Sequence, residues 1–402
     1  TQLASLHQTV SCTYELNPAS IPGLADCPIG CPLLNNWHPA RVTSIQRERI
    51  AMENEKIKEF ADKVFTDMAG AMGAGLGYLG TKTGLFRTMA EQGPMCLEQV
   101  VRKSGLQPRY VEEWLKGMAC TGYLNYDPDA ETYELPGEHA YLLASDGTDH
   151  FVGGMFAWVP FLMRVAPRVA EAFEQGGGVP FQDYGADSVE ALDLMNRGMY
   201  EHRFVSYWLQ AVPEVVERLE AGGAALDVGC GAGHVSLTLA KAFPKSSFTG
   251  LDSDEESIRQ AKANAEAAGM RERVRFLAQT TKELDAGQGF DLITACDCVH
   301  DFSKPVATLQ EIHALLKPEG TLFVIEPKAA DRLEDNLNPI AAMYYGFSVF
   351  HCMTQSLAQG GPGLGTCMGP ARLEELIREA GFTRFETLEL KSLMSLFYAV
   401  RK

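Results

Sequence analysis

Three short stretches of this 402-residue chain carry residue types able to do chemistry. The first is Leu226-Asp227-Val228-Gly229-Cys230-Gly231-Ala232-Gly233. An apolar run enters a G-x-G-x-G loop, and a helical pattern (Val235, Leu237, Leu239, Ala240) follows. Glycines let a backbone turn tightly and approach a ligand closely, and the helix N-terminus behind them favours a negative group. His234 stands where the third glycine of the dinucleotide fingerprint belongs. Asp227 suits an ammonium group, so this stretch fits an amino-acid-like ligand better than a pyrophosphate. The second stretch, Ser247-Phe248-Thr249-Gly250-Leu251-Asp252, reads as a strand ending in an acid that could accept both hydroxyls of a ribose. The third is Cys296-Asp297-Cys298-Val299-His300-Asp301-Phe302. It follows a fourth apolar strand, at the sheet edge where α/β folds bind ligands. A neutral imidazole near pH 7 accepts a proton, which makes His300 the candidate base.

These pieces, followed by Gly289-Phe290-Asp291-Leu292-Ile293-Thr294 and Leu315-Leu316-Lys317-Pro318-Glu319-Gly320-Thr321-Leu322, stand in one order along the chain. In that order they resemble the class I S-adenosylmethionine-dependent methyltransferases. The resemblance implies an α/β fold: a Rossmann-like seven-stranded methyltransferase sheet behind a mainly α-helical N-terminal winged-helix dimerisation domain. It also implies S-adenosyl-L-methionine as cofactor, held by Asp227, Gly229, Gly231, Gly233, Asp252, Ser253, Thr280 and Asp297. The family often carries an acid after its third strand for the adenine amine. Gln279, Thr280 and Thr281 stand there instead, and a Gln or Thr side chain still accepts a bond. The His300-Asp301 pair is similar to the His-Asp-Trp segment of winged-helix small-molecule O-methyltransferases, where the histidine is the base. Phe302 replaces the tryptophan. In that family a glutamate ending the next strand orients the histidine, and Glu326 in Phe323-Val324-Ile325-Glu326-Pro327 matches it. The implied catalytic set is His300, Glu326 and Asp301.

The elements that must position these residues follow from periodicity. Residues 1–40 form an irregular proline-rich arm. Its Cys27, Cys31 and His38 lack a second ligand pair nearby, so no metal is expected there. Within 41–69, Ile57, Phe60, Ala61, Val64, Phe65 and Met68 keep helical spacing, which makes either a core-facing helix or a dimer seam. Residues 70–145 look like a winged helix: helices near Thr81–Phe86, from Leu97 and over Pro108–Ala119, then a hairpin turning at Asp127-Pro128-Asp129. Tyr110, Val111, Trp114, Leu115 and Met118 form the third helix's apolar spacing. The whole region 41–145 is taken as the dimerisation domain. Across 41–140 the chain has 12 Lys and Arg against 15 Asp and Glu, which suits dimerisation and a substrate lid better than DNA.

Residues 146–223 read as helical linker and lid, with His202 a candidate for the cofactor's neighbourhood. Residues 224–402 form the catalytic domain. Ser253 and Glu256 suggest a capping box for a helix over 255–268. A terminal strand pair, Phe382–Leu390 and Leu393–Val400, closes the domain. Residues 331–370 form a cap in which Tyr344, Phe347, His351 and Met353, with Trp158, are expected to line the substrate pocket. Cys230, Cys296, Cys298, Cys352 and Cys367 fall near the same place in sequence and are read as small packing residues rather than a soft-metal site.

Net charge is −17, which repels phosphate backbones and anionic membranes. No run approaches the length of a membrane span, and no basic segment leads into an apolar one at the start. Ten irregularly spaced cysteines suit a reducing compartment, so the expected location is cytoplasmic. The expected activity is transfer of the methyl group of S-adenosylmethionine to oxygen or sulfur of a small molecule, by a homodimer binding no nucleic acid. The alternatives are a thiol- or sulfide-specific enzyme with no strong base, and a non-catalytic winged-helix regulator that senses S-adenosylmethionine.

Overall fold

The computed structural model describes residues 54–185, 187–285 and 287–402. The arm 1–40, with Cys27, Cys31 and His38, and the start of the 41–69 helix lie outside the described residues. Two compact units divide the chain, Thr1–Phe65 and Thr66–Lys402. The described part of the first is the opening of a helix, Asn54–Lys82, that runs further than the 41–69 pattern foretold. Its Ile57, Phe60, Val64 and Phe65 are exposed, so the core-facing reading of this face is wrong for the single chain.

Within the second unit a winged helix assembles from Leu85–Met89, Leu97–Ser104 and Pro108–Cys120. The wing pairs Asn125–Asp127 with Thr132–Glu134, Tyr126 opposite Tyr133, and Met95 bridges to Tyr133. Val111, Trp114, Leu115 and Met118 are buried as their spacing required, whereas Tyr110 points to solvent because it lies off that stripe. The long helix passes close to this core at Gly80. A Cβ there would stand 2.5 Å from the Phe86 ring and 2.7 Å from that of Trp114.

The remainder builds one seven-stranded sheet. Its strands are β1 (Ala224–Val228), β2 (Ser247–Asp252), β3 (Val274–Ala278), β4 (Phe290–Cys296), β5 (Leu316–Pro327), β6 (Arg384–Thr387) and β7 (Ser395–Arg401). Their spatial order is 3-2-1-4-5-7-6. Strands β1 to β5 are mutually parallel, and β7 runs antiparallel between β5 and β6. Every residue of β4 is buried, as a central strand covered by helices on both faces must be. Each large apolar side chain so buried contributes about 1.5–3 kcal/mol relative to exposure. The crossovers reverse direction between β1 and β4, and that reversal opens a crevice at the strand ends.

The capping expectation needs correction. The helix after β2 is Glu255–Ala267, and its cap is Asp254, whose Oδ2 accepts the Ser257 N–H at 2.7 Å. Ser253 is exposed instead, because the helix begins at Glu255 and so places Asp254, not Ser253, at the N-cap. His202 is exposed and bonds the Gly147 carbonyl at 2.8 Å. The cap is helical: Pro339–Phe347, a π turn at Ser348–Cys352, then Met353–Ala358. Among the described residues no helix is long and apolar enough to cross a membrane.

Candidate active site

The glycine loop leaves β1 with Gly229, Gly231 and Gly233 all at positive φ (68°, 50° and 84°). They do different work. A Cβ on Gly233 would strike the Phe276 ring at 2.5 Å, and one on Gly229 would strike Cys298 Cβ at 2.9 Å. A Cβ on Gly231 meets nothing within 4 Å, so this residue leaves a bare backbone facing open space. That is the cradle a ligand backing onto the loop requires.

Three acids surround the loop. Asp227, opposite Thr294 in the β1–β4 register, accepts that hydroxyl at 2.7 Å and the Ser236 hydroxyl at 3.0 Å. Burial, only partly offset by those bonds, pushes its carboxyl up to about 6. Asp252 accepts the Gly231 and Asp254 N–H groups at 3.0 and 2.9 Å, and burial raises its carboxyl too. Asp297 follows β4 in a left-handed conformation, φ 51°, rare outside glycine. Burial and then the Glu326 charge push it up to about 6. Tyr200 of the helix Asp187–Arg203 donates to Asp297 Oδ2 at 3.0 Å. No lysine or arginine makes an ion pair with Asp227, Asp252 or Asp297 among the described residues. Buried carboxylates without a counter-cation suit a ligand that brings positive charge.

The residues present therefore fit S-adenosyl-L-methionine, whose sulfonium and ammonium groups supply that charge. Two further positions named from sequence stand at the edge of this arrangement. Ser253 is exposed, and Thr280 caps a short turn by bonding Glu283 at 2.9 Å. The sequence did not single out His234 as a clamp. Its ring spans Asp193 at 2.7 Å and Glu201 at 2.9 Å, tying the first turn after the glycine loop to the helix that carries Tyr200. A cleft of about 580 Å³ opens nearby, lined by Phe181, Val189, Asp254 and Arg259 among others.

His300 sits one short turn beyond β4, in Val299–Asp301. Its Nδ1 lies 2.6 Å from Glu326 Oε2, and Glu326 Oε1 accepts the Val299 N–H at 3.0 Å. A carboxylate only accepts, so Nδ1 carries hydrogen and Nε2 is the titrating atom. Nε2 faces Asp301 Oδ1 at 3.6 Å. Burial pulls the imidazole down, but the Glu326 charge and then Asp301 outweigh it and hold His300 well above its ordinary value.

The expected pocket residues divide. Trp158, Phe347 and His351 pack together, with ring centres 4.7 Å and 5.5 Å from Trp158. Burial drives His351 down to about 4, so it is a neutral ring. Trp158 Nε1 and His351 Nε2 are buried without a partner. Tyr344 is turned aside, its hydroxyl donating to the Met394 carbonyl at 2.5 Å. Met353 backs the glycine segment at Gly363 and Gly365. Cys352, which sequence reasoning treated as packing, lies against His300 and Asp301. No local spacing could have paired residues so far apart.

Comparison with known proteins agrees with this layout. Residues 219–381 match the family model described as a methyltransferase domain, and residues 71–145 the one described as an Rv2258c-like winged HTH domain. The chain is 36% identical over 108 residues to a ubiquinone biosynthesis O-methyltransferase of Actinobacillus pleuropneumoniae. That match takes in 25% of this chain and 44% of the relative, so under half of the relative's length is spanned. Human N-acetylserotonin methyltransferase, solved in complex with SAM, superposes with a TM-score of 0.60 at 18% identity, over 87% of this chain and 99% of that one. A Nostoc punctiforme protein provisionally assigned as an O-methyltransferase superposes at 0.66 with 20% identity, over 85% and 98%.

Proposed function

We propose, for a chain that joins a class I S-adenosylmethionine-dependent methyltransferase domain to a winged helix-turn-helix domain, that it methylates a hydroxyl oxygen of a small molecule with His300 as base. Bound S-adenosyl-L-methionine supplies an electrophilic methyl on a positively charged sulfur. Gly231 gives the ligand room, Asp252 offers acceptors for a ribose, and Asp227 and Asp297 balance positive charge in a buried place. The observation that carries the reading is the His300 arrangement. Glu326 fixes the ring through Nδ1, so the free lone pair of Nε2 is presented to the site as a proton acceptor. Trp158, Phe347 and His351 form an aromatic wall that helps exclude water from the site.

The two carboxylates beside His300 favour its protonated form. The free base therefore gains population as pH rises, and transfer is fastest on the alkaline side of neutrality. The acidic winged helix and the exposed apolar face at Phe60 and Phe65 support a homodimer that does not bind nucleic acid. The scattered cysteines support a cytoplasmic location. Incubation with labelled S-adenosylmethionine and panels of phenols, alcohols, thiols and amines tests the reading. Labelled hydroxyl products are expected. Labelling of thiols alone would favour the base-independent alternative, and no labelling with retained cofactor binding would favour the sensor.

A further inference from the structure

We propose that His300, Asp301 and Cys352 form a binding site for one zinc-class divalent cation, and that its occupancy switches methyl transfer off. Each residue offers one ligand atom, and the three atoms all lie within 4.8 Å of one another. They come from two elements, the turn after β4 and the π turn of the cap, so the cap's own fold brings the sulfur to the imidazole. π turns of this kind are frequent at functional sites.

Three features distinguish the cluster from ordinary packing. First, Glu326 holds His300 through Nδ1 at 2.6 Å, which is the carboxylate–histidine support that leaves Nε2 free to ligate a metal. Second, Nε2 and Asp301 Oδ1 stand 3.6 Å apart. That is too long for a hydrogen bond, and Asp301 Oδ1 is buried without a partner. Two ligands of one tetrahedral ion with bonds of about 2.0–2.2 Å stand roughly 3.3–3.6 Å apart, so the pair is already spaced for one. Third, an imidazole, a carboxylate and a thiolate make a borderline-soft set, which favours zinc over magnesium or calcium. Three protein ligands leave a fourth position open. Closing the set needs Cys352 to move by no more than about an ångström.

On binding, the Cys352 thiol proton and the Nε2 proton of protonated His300 both go to buffer, and the sulfur and Nε2 bond the ion. The Nε2 lone pair is then committed to the metal and cannot take a proton. Binding itself is independent of the proposed function. The inhibition rests on the reading of His300 as base.

The test uses the full chain, treated with chelator and desalted. Cobalt(II) is the probe, since a thiolate ligand gives it a charge-transfer band and tetrahedral geometry gives it strong visible bands. One equivalent should produce both, and zinc should displace it. C352S and D301N should lose the charge-transfer band and the tetrahedral bands respectively. E326Q should weaken cobalt binding by ~10–100-fold. Calorimetry with S-adenosylhomocysteine shows whether each variant is folded. Should C352S misfold, a C27S/C31S protein supplies the second arm, and it should keep the full spectrum. A charge-transfer band that survives in folded C352S, or disappears in C27S/C31S, overturns the site. So does wild-type protein that transfers methyl groups yet gives no tetrahedral cobalt spectrum. Zinc should abolish transfer and chelator should restore it. Unchanged transfer with zinc bound overturns the switch. An H300A protein that still transfers methyl groups would instead count against the proposed base.

Discussion

His300 and Glu326 meet at 2.6 Å, Nδ1 to Oε2, with both side chains at most 5% exposed. The glutamate is fixed at its other oxygen by the Val299 N–H. The pair joins the end of β5 to the turn after β4, and the strand register sets it. Cys296 pairs with Ile325, so the next residues along both strands emerge together at the crevice.

Glu326→Gln keeps the shape and removes the charge that raises His300. The alkaline-favoured limb of the pH–rate profile should then move to lower pH, with a reduced plateau. Glu326→Ala should cost more stability, about 3–5 kcal/mol, because it strands a buried ring. A profile unmoved by E326Q would show that Glu326 does not act through His300.

If Asp227 and Asp297, both raised to about 6, face the cofactor as proposed, they give its site a pH dependence. A folded-state value above the unfolded one means the folded protein binds the proton more tightly. The stability these groups contribute is complete below about pH 4 and is lost as pH rises through 6. A cationic ligand prefers the ionised acids, so its affinity should fall as pH drops below 6 and its binding should release protons there. Calorimetry in buffers of different ionisation enthalpy reads both. Affinity that is constant from pH 7.5 to 5 would contradict the arrangement.

Asp227→Asn should abolish measurable S-adenosylmethionine binding while raising the melting temperature of the ligand-free protein near pH 7.5. The buried charge costs up to ~3 kcal/mol there, from a shift of about two pH units. Retained micromolar affinity in this variant would count against the ammonium-facing role.

Gly231→Ala and Gly233→Ala should separate binding from folding. The first meets open space, so it should fold with only the left-handed penalty of about 1 kcal/mol and lose ligand affinity. The second drives a methyl into the Phe276 ring and should lower the melting temperature sharply. Equal melting temperatures for the two would refute this division of labour.

Phe60→Asp combined with Phe65→Asp should convert a dimer to a monomer in light scattering, since both rings are exposed. A monomeric wild-type protein would remove the dimerisation role altogether.

Much of the catalytic domain is legible in the chain because its signals are local. The strand–glycine–helix passage at Asp227–Val235, the acid ending β2 and the wing turn at Asp127-Pro128-Asp129 each depend on neighbours in sequence. The His300–Glu326 pair was reached through a family pattern, and the strand register explains it. What stayed hidden depends on distant segments meeting. Tyr200 reaches Asp297 across 97 residues, His234 is gripped by Asp193 and Glu201, and Cys352 arrives beside His300 on a π turn. No spacing rule encodes such meetings. The capping choice between Ser253 and Asp254 failed for a smaller reason, since the helix begins at Glu255 and so places Asp254 at the N-cap.

The most direct measurement is the rate of methyl transfer to an accepted phenol or alcohol by wild-type protein and by His300→Ala, at matched cofactor occupancy. A loss of at least ~100-fold is expected for removal of a base that takes the acceptor's proton. A His300→Ala rate within a few-fold of wild type on the same hydroxyl acceptor would contradict the account.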